Sequence, residues 1–244
     1  SSSDNGGIDV RTRSYNNNLT GNRIQTFGTS ANYGVLLFTD VSLVVTEYNN
    51  ITTTGSAGSN FGIYLLTRAT SNNVSNNIIN TSGTSTNYGI NLDSSVNSSL
   101  ILNNTISSGG STTGNEGIRI TSSAFLNNIT MNRIFSRGTA SNYGVELTTS
   151  ANNTIVDRNN ISTNGTTTAN LGIALVNSNG NITNNRIITN GSTDNHAIKL
   201  ENITDGTMNI FDSNNITTGT AGSFAVRIQS ANRTFFNNTF IETT

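Results

Sequence analysis

The chain carries 13 acidic residues, 12 basic residues and one histidine, and any catalytic centre has to be assembled from these. Acid–base work on a glycan needs two carboxylates, or a carboxylate and a cation, converging on one bond. The candidates Asp40, Asp93, Glu116, Glu146, Asp157, Asp194, Glu201 and Asp212 lie at mostly different phases of the sequence, so no carboxylate cluster is expected. Arg119 and Glu146 are in phase and read as an exposed ion pair of about 0–1 kcal/mol. The lone His196 falls in a position that elsewhere holds Tyr33, Phe61, Tyr88, Glu116, Tyr143, Leu171 and Phe224, a mostly aromatic and apolar column that suits packing better than proton transfer. Cysteine is absent, which excludes thiolate chemistry and disulfides. With no histidine pair and no Asp-x-Asp loop, no metal site is expected. These residues predict no catalytic group and no cofactor.

What positions them is a repeat of about 27 residues that runs through the whole chain. One anchor is a small residue followed by Ile or Val and, two positions on, another apolar residue. It occurs at Gly7-Ile8-Val10, Gly34-Val35-Leu37, Gly62-Ile63-Leu65, Gly89-Ile90-Leu92 and Gly117-Ile118-Ile120, then at Gly144, Gly172, Ala197 and Ala225. A second anchor, an apolar residue just after Asn, runs in step at Ile24, Ile51, Ile78, Ile106, Ile134, Ile161, Ile187, Ile216 and Phe240. Nearly identical loops at 28–34, 83–89 and 138–144 alternate with loops one residue longer, which marks duplication of a coil pair. A fixed period of this size implies stacked units that pool one core.

Within each anchor the alternation is that of a strand. Ile90 and Leu92 share one face, Asn91 and Asp93 the other. The segments 99–102 and 105–107 read as second and third strands, with Gly and Asn at bends that need positive φ. The expected fold is all-β: a right-handed parallel β-helix of nine coils, one domain over 1–244. At about 4.8 Å per coil the rod would be roughly 43 Å long.

Of the 244 residues, 44 are Asn and only 10% are charged, with a net charge of −1. This leaves no basic footprint for nucleic acid, and no apolar run is long enough to insert in a membrane. The Asn residues form two expected ladders, Asn22, Asn50, Asn77, Asn132, Asn160 and Asn215 in one bend and Asn32, Asn60, Asn87, Asn115, Asn142, Asn170 and Asn195 in another. Stacked amides can donate to one coil and accept from the next.

The Asn-Asn-x-Ile and Gly-Ile-x-Leu repeat resembles the pectate-lyase-like superfamily of parallel β-helices, and within it the Asn-rich NosD-like repeats of secreted and surface proteins. The resemblance implies an extracellular or cell-surface location and covers lyases, hydrolases, adhesins and surface-layer components alike. The function expected here is a structural or adhesive element of a filament, sheath or surface layer. The alternative is a polysaccharide-binding or polysaccharide-cleaving protein.

Asn97, Asn152, Asn164 and Asn190 are candidate N-glycosylation acceptors in bends, so glycans are possible partners. Leu36, Phe38, Tyr64 and Leu66 break the alternation with outward apolar side chains and predict a lateral contact surface. Phe235, Phe236, Phe240 and Ile241 in the last coil suggest end-to-end contacts, so self-association is expected.

Overall fold

A computed structural model describes residues 5–29, 31–203, 208–219, 222–232, 234–238 and the backbone of 240–243. Among them, three parallel sheets of nine strands each wind into a β-helix with no α-helix. Each coil contributes one strand to each sheet. In the fourth coil these are Asn87–Asp93, Leu100–Leu102 and Thr105–Gly110. Pairing is strictly in register: Ile63, Ile90 and Ile118 lie side by side in the first sheet, Val74, Ile101 and Ile129 in the second. The right side chain therefore recurs at the right height only because the sequence repeats.

The inward positions of the three sheets make one continuous apolar core, in which Ile51, Ile63, Ile90, Ile106, Ile118 and Ile134 are fully buried. The third-strand stack differs from expectation in one coil. Ile79 pairs with Ile51 and Ile106 in the core, while Ile78 points outward and is 51% exposed. The outward third-sheet position in that coil is thus Asn80. A small residue before each first-strand anchor is a packing requirement. A Cβ on Gly34 would lie 2.5 Å from the Gly62 carbonyl oxygen and collide with Ile51.

Two amide ladders run the length of the core wall. In the corner after the second strand, Asn22, Asn49, Asn77, Asn104, Asn132, Asn159, Asn185 and Asn214 stack in one column that ends on Asn238. Each Oδ1 accepts both the backbone N–H and the Nδ2–H of the Asn one coil earlier, as Asn104 does from Asn77, both at 2.9 Å. Each Nδ2 also donates back to a second-strand carbonyl, as Asn104 does to Val74 at 2.9 Å. Each interior amide is therefore satisfied on both sides. Asn50, Asn160 and Asn215 do not belong to this column. They sit one residue on, at the exposed start of the third strand. The second ladder, Asn32, Asn60, Asn87, Asn115, Asn142, Asn170 and Asn195, bonds at 2.6–2.9 Å from one coil to the next and starts from Asn5.

The corners also differ from a simple Gly-and-Asn expectation. Residues with positive φ include Leu43, Tyr48, Thr67, Arg68, Met131 and Ala169, while only three described glycines have it. Left-handed backbone disfavours such side chains by roughly 1–2 kcal/mol each. The ladder bonds that follow offset this: Tyr48 precedes Asn49, Met131 precedes Asn132 and Ala169 precedes Asn170.

Two comparisons test this frame. Ile106→Ala should lower the unfolding free energy in urea by about 2–5 kcal/mol, whereas Ile78→Ala should change it by about 0.5 kcal/mol or less. Asn104→Ala, which removes the acceptor of the Asn77 backbone N–H and side-chain amide, should cost about 1–3 kcal/mol. Asn50→Ala should stay within about 0.5 kcal/mol, and equal losses for Asn104 and Asn50 would refute the column assignment.

Candidate functional site

The first sheet presents the most chemically varied outward face. Its strands depart from alternation at the anchor, where Gly34 and Val35 both face the interior. Tyr33 and Leu36, three residues apart, consequently share the outer face. The same step repeats in the next coils and builds two parallel outward columns. One runs Tyr33, Phe61, Tyr88, Glu116, Tyr143, and the other Leu36, Tyr64, Asn91, Arg119, Glu146.

In the second to fourth coils these columns form an aromatic platform. The rings of Tyr33 and Tyr64 stack at 5.8 Å, those of Tyr33 and Phe61 at 5.6 Å, and Phe61 meets Tyr88 at 5.2 Å. Beside it lies a groove of 290 Å³ lined by Tyr33, Leu36, Phe38, Tyr64 and Leu66, with Asp9 and Arg11 at one end. The Tyr64 hydroxyl donates to Asp93 at 3.2 Å, which fixes the ring. Burial and the Asp93 charge together raise its pKa, keeping the phenol neutral.

The platform continues into a charged cluster. Arg119 lies over the Tyr88 ring at 5.4 Å and donates through Nε to Glu146 at 2.7 Å. Glu116 is buried, and its Oε2 accepts no hydrogen bond. Burial first, and the neighbouring Glu146 second, push its carboxyl well above the usual range, against the opposing pull of Arg119, its own backbone and the Tyr88 hydroxyl. Partial burial first, then the charges of Glu146 and Glu116, push the half-buried Tyr143 up to about 12. Two carboxyls, a guanidinium and two phenols thus meet on adjacent coils. Environments that push one carboxyl toward its neutral form supply a proton donor beside acceptors.

Placing the sequence candidates on the fold brings several together. Leu36, Phe38, Tyr64 and Leu66 line the groove, but Leu36 is only 7% exposed and so offers little contact surface of its own. Arg119 and Glu146 do pair, though half-buried rather than exposed. His196 is buried against Phe224 with ring centroids 5.4 Å apart, and burial followed by the nearby Arg227 lowers its pKa. Asn97 and Asn152 lie in one bridged column of the corner before the second strand, partly covered, whereas Asn164 and Asn190 are paired neighbours at an exposed strand end. Phe235 and Phe236 are exposed at 50% and 40%. The side chains of Phe240 and Ile241 lie outside the described residues. The meeting of Glu116 with Glu146 escaped the sequence because they belong to different columns. The signal was present all the same, as Glu116 precedes one anchor glycine and Glu146 follows the next by two.

No protein-family model matches the sequence, and no curated protein matches it significantly. Solved structures do share its shape. The periplasmic alginate epimerase AlgG superposes with a TM-score of 0.58 at 14% identity, over 90% of this chain and 50% of that one. A double mutant of AlgG gives 0.65 at 17% identity, over 91% and 50%. The A-module of mannuronan C-5 epimerase AlgE6 from Azotobacter vinelandii gives 0.48 at 14% identity, over 88% and 64%. The chain spans about half the length of AlgG. At such identities the likeness establishes the parallel β-helix fold.

The buried Glu116 predicts a pH dependence of stability. Its folded-state pKa is raised, so the folded protein binds the proton more tightly than the unfolded chain. Stability is therefore fully kept below the unfolded carboxyl value of about 4.3 and falls as pH rises above it, by up to about 1.4 kcal/mol per unit, until the folded-state pKa is passed. Glu116→Gln should match the wild type near pH 4 and exceed it at pH 7 in urea unfolding. Parallel pH profiles for the two proteins would show that Glu116 is not held in this way.

Proposed function

We propose that this protein is a polysaccharide-binding β-helix working outside the cytoplasm, with the glycan laid along the outward face of the first sheet. The observation that carries the reading is the platform of Tyr33, Phe61, Tyr64 and Tyr88, whose rings touch from coil to coil and lead from the groove to Arg119. Stacked on one another, the rings present an apolar edge strip with phenol hydroxyls along which the C–H surface of a sugar chain can lie, and a strip that advances one coil at a time suits a polymer rather than a single small molecule. Asp93 and Glu146 beside the rings supply hydrogen-bond acceptors for sugar hydroxyls. The fold shared with AlgG, an enzyme whose name specifies alginate and the periplasm, agrees with a glycan partner and an extracytoplasmic setting. The apolar residues that suggested lateral self-association, Leu36, Phe38, Tyr64 and Leu66, are those of the groove itself.

A second reading, modification of the bound chain, rests on the meeting of Glu116, Glu146 and Arg119. It requires turnover: prolonged incubation with a bound polysaccharide should release new chain ends or change its sugar composition, and Glu146→Gln should abolish that change.

Binding is read by affinity electrophoresis through gels containing dissolved polysaccharides. Tyr64→Ala should weaken retardation by a bound glycan about ten-fold, equivalent to about 1.4 kcal/mol, while circular dichroism still reports β-structure. Phe27→Ala, at an exposed ring on the third sheet, should leave binding unchanged. Equal retardation of the Tyr64→Ala protein and the wild type would overturn this placement.

A further inference from the structure

Resting on the glycan-binding reading, we infer that the first-sheet face selects a neutral, hydroxyl-rich polysaccharide and discriminates against polyuronates. The argument is one of charge. A site for a chain bearing one carboxylate per sugar needs cations that are free to meet them. Along this face Arg11 is held by Asp9 at 2.5 Å, Arg119 by Glu146 at 2.7 Å and Lys199 by Glu201 at 2.6 Å. The guanidinium of Arg11 also lies over the Phe38 ring at 5.5 Å, and that of Arg119 over Tyr88. Arg227, in the last coil, stands 3.0 Å from the His196 ring nitrogen, beyond the aromatic platform. A polyuronate lying on the platform would therefore displace an existing carboxylate for each ion pair that it formed.

Acceptors, by contrast, are in surplus. Asp93 faces the platform and is engaged by hydroxyls of Tyr64 and Ser94 rather than by a cation. A carboxylate without a cation, set beside aromatic rings, complements a ligand that brings hydroxyl donors and apolar C–H surface, and a neutral glycan brings both. Asp93, which no cation neutralises, adds like-charge repulsion against a polyanion. At 14–17% identity the fold shared with AlgG carries none of its side chains over to this face.

The test uses the full chain against neutral glucans, galactans and mannans and against alginate and polygalacturonate, at low and at high salt. The expected result is retardation by at least one neutral polysaccharide, at least ten-fold stronger than by either polyuronate and little changed by 0.5 M salt, as befits an interaction without net ion pairing. Glu146→Gln, which releases Arg119, should raise affinity for polyuronates several-fold, a gain that no loss of folding can mimic. Salt-sensitive preference of the wild type for a polyuronate would overturn the neutral class while leaving glycan binding in place. No binding to either class, with the protein folded, would overturn the binding reading and this inference together.

Discussion

Each side chain in this protein sits beside its own counterpart one coil away, and the hydrogen bonds that hold it there run along the axis. That in-register stacking is the constraint from which the composition follows. A column must be filled by residues that tolerate their own kind at about 4.8 Å. Ile, Val and Leu pack on themselves, and Asn donates to and accepts from itself. A charged residue repels its copy unless the signs alternate. The 10% charged content is the consequence, and among the described residues all five ion pairs set opposite signs side by side: Asp40 with Arg68 and Arg119 with Glu146 join adjacent coils, while Asp9 with Arg11, Asp157 with Arg158 and Lys199 with Glu201 lie within one coil.

Against that background the face bearing Glu116 stands out as the place where the rule is relaxed. Its column changes from Tyr88 to Glu116 to Tyr143, and the neighbouring one from Asn91 to Arg119 to Glu146. Neither self-pairing nor core packing dictates those identities. A buried carboxyl with an unengaged oxygen destabilises the fold at neutral pH, and such local conflicts concentrate at sites kept for another purpose. The adjacent platform arises from the same relaxation in apolar form, since outward Leu36, Tyr64 and Leu66 do nothing for the core.

Fold, period and strand order were legible in the sequence because Gly-Ile-x-Leu recurs at fixed distance and alternation has only one interpretation there. One-residue register was not legible where a doublet intervenes. Asn49-Asn50, Asn159-Asn160 and Asn214-Asn215 each offer two candidates for one ladder place, and Ile78-Ile79 two for one core place. The structure resolves them through the bend: the residue before the ladder Asn adopts positive φ, as Tyr48, Arg158 and Ser213 do, and so the first Asn of each doublet turns inward. The carboxyl cluster was hidden for a related reason. Reading each column separately cannot reveal that two columns share a face when paired inward residues shift the alternation.

The axial direction of the bonds also governs how the rod bears load. In parallel sheets wound this way, tension applied along the axis pulls directly on the backbone hydrogen bonds and the amide ladders, which open one coil at a time like a zipper. Each opened coil frees about 27 residues, or roughly 90 Å of extended chain, and leaves the next coil as intact as before. Force transverse to the axis must instead shear many bonds together. The same molecule is therefore extensible and energy-absorbing along its length yet stiff across it, and a polymer held flat against its side is anchored on the stiff direction.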